Sequence, residues 1–341
     1  MLQAPSPNHE LLAGIWFAIE GLFLIFYVVL DGFDLGIGVL SLFMRKGVRP
    51  QVMMSSISTV WDANETWIVV LGGTLFGAFP LVYALLLRAL YIPVIAMLFG
   101  FIFRGVSFEY WELARRKSVW MWAFGLGSAV VAVSQGYILG GLLGGMNVVH
   151  GHFRGGLFAW FTGFATLVAL GVVVGYVLLG TTYLIMKTEN KVQAVLFPAA
   201  KVAAIVLFIV AALITLLTPL RYEWAARRWL TVPGLFEFGL LPLVASLSFW
   251  RLFKALGQRR PYAPFAWTLG IFLSSFLGLG ITIYPYIVPD TYTVTAAATG
   301  SETLIFMLAV VGLFIPIMIA YNAYLYVTFR GKTGAGGYQG P

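Results

Sequence analysis

Residues 27–38 read YVVLDGFDLGIG and place two carboxyl side chains, Asp31 and Asp34, inside a long apolar segment. A carboxylate at membrane depth costs a few kcal/mol or more, so it usually faces the interior of a helix bundle and marks an ion or proton path. This stretch therefore predicts a membrane-spanning helix that handles protons, rather than one that serves packing alone.

A second acidic stretch, residues 61–67, reads WDANETW and lies in another apolar segment. Its two acids, Asp62 and Glu65, are three residues apart, and residues at that spacing are neighbours on one face of a helix. The chain is thus predicted to carry acidic pairs on two different membrane helices.

The composition is that of a polytopic membrane protein. The chain has 341 residues, of which 60% are hydrophobic and only 10% charged, against roughly 25% charged in a soluble domain. Repeated apolar windows of about 20 residues predict membrane-spanning helices. The sequence has no cysteine, which excludes disulfides, thiolate metal sites and iron–sulfur clusters. The net charge of +8 is confined to short loops, so topology explains it better than a nucleic-acid partner does.

The apolar segments predict an all-α membrane protein with nine transmembrane helices. The predicted spans are 11–43, 61–84, 86–112, 119–143, 157–186, 194–219, 233–253, 264–287 and 302–328. Pro80 is expected to break or end the second span, because proline has no backbone N–H to donate.

A faint internal repeat divides the chain. Residues 27–32 resemble residues 176–181, and each stretch lies near the end of an unusually long span. The repeat favours two four-helix bundles with a ninth helix appended. The predicted divisions are an external tail at 1–10, bundles at 11–143 and 157–287, a peripheral helix at 302–328 and a cytoplasmic tail at 329–341.

The distribution of basic residues predicts the orientation. With an external N-terminus, the cytoplasmic loops hold most of the Lys and Arg side chains, as is usual for membrane proteins. One predicted external loop opposes this bias, because it contains Arg221, Arg227 and Arg228. A single loop does not reverse the overall distribution. We therefore expect the N-terminus outside and the C-terminal tail in the cytoplasm.

A stripe of carboxyl groups is predicted on the first span. Glu20 precedes Asp31 by eleven residues, which at about 100° per residue leaves it only about 20° from the same line. Asp34 lies on the same face. Glu20 sits deeper in the membrane, and its position fits either an inner step of a proton path or a hydrogen-bond partner between subunits.

The acids of the first two spans are expected at one depth, in the cytoplasmic third of the membrane. Like charges in a low dielectric resist simultaneous ionisation, and groups of that kind suit proton relay. The alternative is that these acids cap helix ends, pair with Arg104 or sit in headgroup water. The candidate proton path comprises Asp62, Asp31, Asp34, Glu65, Glu20, Arg104 and Glu109.

The three histidines argue against haem ligation by this chain. His9 lies in the N-terminal tail, and His150 and His152 lie in a predicted external loop, so none falls inside a span. Histidine is a principal haem ligand in membrane redox subunits. The His150 and His152 pair in a glycine-rich loop is not by itself a metal site, so we expect neither a metal nor a cofactor bound by this chain.

Five stretches together resemble subunit II of the cytochrome bd-type quinol oxidases. The similarity runs from about Leu11 to Arg330, nearly the whole chain. The stretches that carry it are 30–38, 61–67, 72–84, 101–109 and 284–289. Each is weak alone, and together they are specific.

The resemblance implies a fold of two four-helix bundles with a peripheral helix. It implies a multi-pass subunit of the prokaryotic cell membrane, in a respiratory complex that oxidises quinol outside and reduces O2 to water with cytoplasmic protons. Subunit II supplies a proton path through the Trp61–Asp62 motif, with Asn64 and Trp67 as its supporting residues.

The resemblance also implies the partner and the cofactors. Subunit I of this family carries two b haems, one d-type haem and the quinol site, while subunit II binds no haem. Two further components are left undecided by the resemblance: a structural quinone in a lipid-facing groove and a small accessory subunit. Glu65 stands where some relatives have Gln, and Glu20 is not general to the family. In these departures the sequence is similar to the cyanide-insensitive branch of the family. Whether the partner subunit contains haem d or only haem b is left undecided.

Two other functions compete with proton delivery to an oxidase partner. A stand-alone ion or solute transporter would carry a broken helix at the midplane of each half, and Pro80 offers one such break in the first half. A purely structural scaffold for subunit I would tolerate neutral residues at Asp31, Asp34 and Asp62.

Overall fold

The computed structural model describes residues 7–44, 48, 50–111, 113–149, 152–334 and 337–338. Several predicted features lie outside these residues: positions 1–6 of the N-terminal tail, Arg45, Lys46 and Arg49 of the first loop, His150, and the last residues of the C-terminal tail.

The described chain is mostly helical. The helices are α1 (Pro7–Phe43), α2 (Pro50–Ser55), α3 (Trp61–Ala78), α4 (Pro80–Ala89), α5 (Tyr91–Trp111), α6 (Lys117–Leu143), α7 (Gly163–Lys187), α8 (Asn190–Arg221), α9 (Glu223–Trp229), α10 (Val232–Gly257), α11 (Ala263–Ile283), α12 (Val294–Ala297) and α13 (Ser301–Thr328). Three short antiparallel hairpins pair β1 (Val148–Val149) with β2 (His152–Phe153), β3 (Tyr286–Val288) with β4 (Tyr292–Thr293), and β5 (Thr333–Gly334) with β6 (Gly337–Tyr338).

The helices have the lengths that a membrane requires. Within the described residues, eight straight helices are long and apolar enough to cross a bilayer, and the bent pair α3 and α4 makes up to nine. The all-α membrane fold expected from the sequence is confirmed.

The second predicted span, 61–84, covers α3 and the first half of α4, and the chain bends by 119° between these two helices. The break falls at Phe79, directly before Pro80, which occupies the first turn of α4. Proline cannot continue the hydrogen bonding of α3 but fits the first turn of a new helix. The break expected at Pro80 is therefore present.

Other helix ends also differ from the predicted ones by several residues, and two of them lie beside aromatic turns. The fifth span was expected from residue 157, but α7 begins at Gly163, where the Thr162 side chain accepts a hydrogen bond from the Ala165 backbone N–H at 3.1 Å. The eighth span was expected to reach residue 287, but α11 ends at Ile283 and β3 follows. In both places the residues outside the helix include aromatic side chains and form turns. Because they are as apolar as the residues of a membrane helix, their hydrophobicity predicted a longer helix than the one that forms.

The long helices α1 and α7 cross in close contact. A Cβ on Gly36 would overlap the backbone carbonyl of Tyr176, and a Cβ on Gly180 would meet the backbone of Phe33 and Gly36. Beside this crossing, the rings of Phe33 and Tyr183 stack at a centroid distance of 4.0 Å. Small residues at a crossing let two membrane helices approach closely. This contact fixes the helix that carries Asp31 and Asp34.

Replacing Gly36 with Ala is expected to destabilise the protein by roughly 1–3 kcal/mol, because the methyl group forces α1 and α7 apart. The measurement is the thermal midpoint of the purified complex, followed by tryptophan fluorescence. Gly14→Ala is the matched control on the same helix, since nothing lies within 4 Å of its Cβ position. Equal midpoints for the two variants would contradict the close crossing.

The last long helix, α13, lies at the periphery and is fixed at both ends. Of its side chains only Leu304 and Asn322 are buried. At its N-terminal end the Trp16 ring N–H donates to the Leu304 carbonyl at 3.0 Å. At its C-terminal end Lys187 Nζ donates to the Phe329 carbonyl at 2.5 Å. Contacts at both ends set the register of α13 against the rest of the bundle.

Candidate functional site

Arg104 is the centre of a buried charged cluster. Its side chain comes from α5 and is fully buried, as are those of Asp31 and Asp34 on α1. Arg104 Nη1 donates to Asp31 Oδ2 at 2.9 Å, and Nη2 donates to Asp31 Oδ1. Paired hydrogen bonds of this kind are the strongest that an arginine makes with a carboxylate. Arg104 and Asp31 thus form a two-bonded ion pair between two helices.

Two further carboxyl groups surround the same guanidinium. Arg104 Nη2 lies 3.7 Å from Asp34 Oδ2, and Nη1 lies 3.5 Å from Glu65 Oε2 on α3. Three carboxyl groups therefore share one cation. Because like charges resist simultaneous ionisation where the dielectric is low, the cluster has the composition of a site that binds and releases a proton.

Asn64 connects the cluster to the peripheral helix. Its Nδ2 donates to Asp34 Oδ2 at 2.8 Å and to the Leu30 carbonyl at 3.1 Å. Its Oδ1 accepts a hydrogen bond from the Tyr326 hydroxyl of α13 at 2.8 Å. A continuous chain of hydrogen bonds and ion pairs consequently runs from α13 through Asn64 and Asp34 to Arg104.

The cluster keeps unused hydrogen-bonding capacity. Asp34 Oδ1 and Arg104 Nε are buried and have no hydrogen-bond partner within the described residues. A buried polar atom without a partner costs roughly 1–3 kcal/mol, and such atoms in native proteins mark places where a proton or a water molecule can bind. Asp34 Oδ1 is therefore chemically able to accept a proton or a hydrogen bond.

Glu65 and Asp62 extend the cluster to the surface of the chain. The Glu65 side chain is 22% exposed, and Asp62 is exposed at the first turn of α3. The two acids are close enough for their charges to interact. Together they form a carboxyl series that leads from the exposed Asp62 to the buried Arg104.

The tryptophans of the motif orient α3. Trp61 stacks on Phe108 of α5 at a centroid distance of 4.7 Å, with the rings nearly parallel. Trp67 is fully buried and stacks on Phe26 of α1 at 4.6 Å. One ring therefore holds α3 against α5 and the other holds it against α1, which brings Asn64 and Glu65 to the cluster.

Two of the predicted residues are not brought together with the others. Glu20 is buried beside the Thr74 hydroxyl of α3, which donates instead to the Val70 carbonyl, and neither carboxyl oxygen makes a hydrogen bond of normal geometry in the described part of the chain. Along α1 it lies roughly 16 Å from Asp31, at 1.5 Å per residue. Glu109 is exposed near the end of α5 and makes no ion pair with another described residue.

A second polar group lies beside the cluster and was not predicted. Gln135 of α6 donates from Nε2 to the Tyr27 hydroxyl, and the Tyr176 hydroxyl donates to Gln135 Oε1 at 2.6 Å. Tyr27 precedes Asp31 by one helical turn. Tyr27 and Tyr176 are the first residues of the two repeat stretches, so the repeat is the sequence feature that could have predicted a shared partner. No sequence feature pointed to Gln135.

Comparison with known proteins identifies the family. A family profile described as cytochrome bd terminal oxidase subunit II matches residues 12–329. The chain belongs to this family. Subunit 2 of cytochrome bd-I ubiquinol oxidase from Escherichia coli (strain K12) is 29% identical, with 95% of this chain and 96% of that protein covered.

Other relatives agree with this assignment. Subunit 2 of cytochrome bd ubiquinol oxidase from Bacillus subtilis (strain 168) is 31% identical over 40% of this chain and 44% of that protein. The structure of bd oxidase from Geobacillus thermodenitrificans matches the fold with a TM-score of 0.69 and 19% identity, over 92% of this chain and 99% of that one.

The subunit II assignment confirms several expectations and leaves one alternative without support. The chain is a subunit of a terminal oxidase, an oxidoreductase complex that contains haem and a partner subunit I. It is a multi-pass membrane protein. The comparisons support the oxidase assignment and not the transporter alternative.

The described histidines of subunit II lie near an end of a helix or in a hairpin, not in the middle of a span. His9 Nδ1 lies 3.0 Å from Ser301 Oγ, where α1 meets α13 at the end of the bundle, and His152 is exposed in β2. No group of three or more His, Cys, Asp or Glu side chains among the described residues could hold a metal ion.

Proposed function

We propose that this subunit II carries protons from the cytoplasm to subunit I, where O2 is reduced to water. The observation that supports the proposal is the carboxyl series that joins the exposed Asp62, through Glu65, to the buried Arg104 cluster. Carboxyl groups at membrane depth commonly form proton relays. In this proposal the N-terminus is outside, the C-terminus is cytoplasmic, and the cluster lies in the cytoplasmic third of the membrane.

Each residue has a defined task in this proposal. Asp62 takes up a proton at the surface of the chain, and Glu65 transfers it inward. Asp31 and Asp34 hold it beside Arg104, which stays charged and prevents the two acids from repelling each other out of position. The hydrogen bond from Asn64 to Asp34 Oδ2 holds that carboxyl in place, so Oδ1 is the oxygen that receives the proton.

The remaining acids have supporting roles. Glu109, exposed near the end of α5, is proposed to attract protons to the same face. Glu20 is proposed to act beyond the cluster, either as an inner step of the path or as a hydrogen-bond partner of subunit I. Both carboxyl oxygens of Glu20 are unpartnered in the described chain, as either role requires.

Haems and substrates are assigned to subunit I. The proposed complement is haems b and d, or haem b alone, and these groups supply electron transfer and O2 reduction. Because the relatives from E. coli and B. subtilis are named as ubiquinol oxidases, the electron donor is proposed to be a quinol, oxidised at the outer face.

An exposed stripe on α3 is proposed to face subunit I. Asp62, Thr66, Val69, Gly73 and Phe76 are all exposed, and their spacing of three and four residues places them on one side of the helix. An exposed carboxyl at membrane depth is unfavourable against lipid. Contact between the rest of this stripe and subunit I leaves Asp62, in the first turn of α3, at the edge of the interface, where it still meets the cytoplasm and takes up a proton.

A structural quinone, which the resemblance leaves open, is proposed to bind in an apolar cavity. The cavity has a volume of about 280 Å³ and lies between α1, α3 and α13. It is lined entirely by apolar side chains: Phe23, Val70, Val311, Phe314, Ile315 and Met318. Such a surface suits the isoprenoid tail of a quinone.

Replacing Asp62 with Asn in the assembled complex is expected to slow quinol-oxidase turnover roughly three- to tenfold. The change removes the group that takes up protons but leaves the buried cluster intact, so solvent retains partial access through Glu65. General acid–base groups typically contribute about 10²–10⁴-fold where nothing replaces them. The measurements are turnover with saturating quinol and proton uptake from the cytoplasmic side.

The control for this experiment is Glu302→Gln, an exposed acid in the first turn of α13, at the other end of the helix from Tyr326. It should leave turnover unchanged. If Asp62→Asn also leaves turnover and proton uptake unchanged, Asp62 is not on the obligatory path, and a purely structural role for this motif is favoured.

A further inference from the structure

A cluster of four cations, the α10–α11 basic patch, lies where α10 ends and α11 begins. It consists of Arg251, Lys254, Arg259 and Arg260, all exposed. The sequence contains no Asp or Glu between Glu237 and Asp290, and none of the four cations makes a salt bridge with another described residue. The patch therefore presents uncompensated positive charge at one end of two membrane helices.

Aromatic rings hold two of these cations in place. The Arg251 guanidinium lies 5.2 Å from the ring centroid of Trp250 and 5.7 Å from that of Trp267 on α11. Lys254 Nζ lies 5.6 Å from the Trp250 ring. Cation–π contacts of this kind favour a fixed position for a long side chain while its remaining N–H donors stay available. Tryptophan is also the residue most typical of the membrane–water interface.

An apolar track runs from the patch into the membrane. Leu243, Leu247 and Trp250 are exposed by 67%, 50% and 56%, and with Lys254 they follow a spacing of four, three and four residues. This spacing places all four side chains on one face of α10. From residue 243 to residue 254 the face is roughly 16 Å long at 1.5 Å per residue, about half the thickness of the hydrocarbon core.

We propose that this face binds an anionic phospholipid, with its phosphate in the α10–α11 basic patch and an acyl chain along Leu247 and Leu243. The apolar track favours a lipid over a soluble polyanion, since nucleic acid or free phosphate makes no use of it. The excess of cations favours an anionic headgroup, because a zwitterionic headgroup carries its own positive charge into the patch. Basic clusters beside membrane helices bind anionic lipids in this way.

The test compares two sets of three neutralised cations in the assembled complex. R251Q/K254Q/R260Q removes three of the four patch cations, and R115Q/R116Q/K117Q removes three exposed cations where α5 connects to the start of α6. The control turn lies on the same side of the membrane, because four spans separate the two turns, and it also contains a cation–π contact, from Lys117 to Trp111 at 5.4 Å. The probes are phosphatidylglycerol and phosphatidylcholine with identical acyl chains, and bound lipid is counted by native mass spectrometry.

The patch variant is expected to retain phosphatidylglycerol at least tenfold more weakly than the unmodified complex, and the control variant less than threefold more weakly. Phosphatidylcholine binding should not distinguish them. Equal loss from both variants, or no loss from either, would overturn the proposal, since general attraction to the membrane surface would then explain the cations.

A second variant keeps the test valid if neutralisation disturbs membrane insertion. R251K preserves every charge and hence the topology, but it removes the planar guanidinium that lies over Trp250 and Trp267 and can bind phosphate through two N–H groups. It should weaken phosphatidylglycerol binding severalfold. Unchanged binding in R251K, in a complex that has assembled normally, would count against the arrangement proposed for the patch.

Discussion

Arg104→Leu should produce the largest loss of stability of any single substitution in this chain. The change leaves Asp31 and Asp34 fully buried with no cation beside them. Breaking a buried pair by removing one partner typically costs about 3–5 kcal/mol, because the remaining charge is uncompensated. We expect a low yield of assembled complex and a thermal midpoint lower by on the order of 10 °C.

The control for this prediction is Arg88→Leu. Arg88 is exposed near the end of α4 and makes no salt bridge with another described residue, so its removal tests the loss of a cation as such. The thermal midpoints of both purified complexes are measured by the same fluorescence assay. If the two variants have the same midpoint, the buried pair between Arg104 and Asp31 does not hold α1 against α5.

A neutral version of the cluster should separate its structural role from its chemical one. The triple variant Asp31→Asn/Asp34→Asn/Arg104→Gln removes the three fully buried charges of the cluster but keeps side chains of similar size that can hydrogen-bond to one another. Replacing a buried ion pair by neutral groups of similar volume is often close to neutral for stability. We therefore expect the triple variant to assemble with a thermal midpoint far closer to that of the unmodified complex than to that of Arg104→Leu.

The same triple variant should nevertheless lose at least tenfold in oxidase turnover. Its Asn and Gln side chains form hydrogen bonds but cannot bind and release a proton, so the carboxyl series ends at Glu65. A loss of this size lies at or above that expected for Asp62→Asn, because the buried cluster has no solvent route around it. A complex that folds and still turns over at the unmodified rate would favour a scaffold role.

The general plan of the fold followed from the sequence because it depends on local properties. Apolar segment length and the missing N–H of Pro80 predicted the helices and the break between α3 and α4. The angle of 119° at that break did not follow, because it depends on what packs against α4. The start of α7 at Gly163 was also missed, since the preceding aromatic residues are as apolar as those of a helix.

The candidate site followed from the sequence only in part. Carboxyls in apolar segments identified Asp31, Asp34 and Glu65, and pairing with Arg104 was one of the open alternatives. Helical periodicity also grouped Glu20 with them, because it reports the face of a helix but does not show that two groups on that face are connected. The structure leaves Glu20 on the same helix but outside the hydrogen-bonded cluster.

The connections that sequence reasoning missed are those between distant segments. Asn64 meets Tyr326, which lies 262 residues further along the chain, and Gln135 meets Tyr27 across 108 residues. Such contacts depend on the register of one helix against another. That register is set by close crossings such as Gly36 against Tyr176 and by the contacts at the ends of α13. The spacing of Gly32 and Gly36 is typical of a close crossing, but it does not identify the partner helix.

Proton uptake during a single turnover tests the central claim most directly. The assembled complex is reduced, mixed with O2, and followed with a pH-sensitive dye on the side where α1 ends, for the unmodified complex and for Asp31→Asn/Asp34→Asn/Arg104→Gln. Our account predicts that the triple variant takes up protons at least tenfold more slowly while electron transfer before the first proton-dependent step keeps its rate. Uptake at the unmodified rate in an intact triple variant would contradict it.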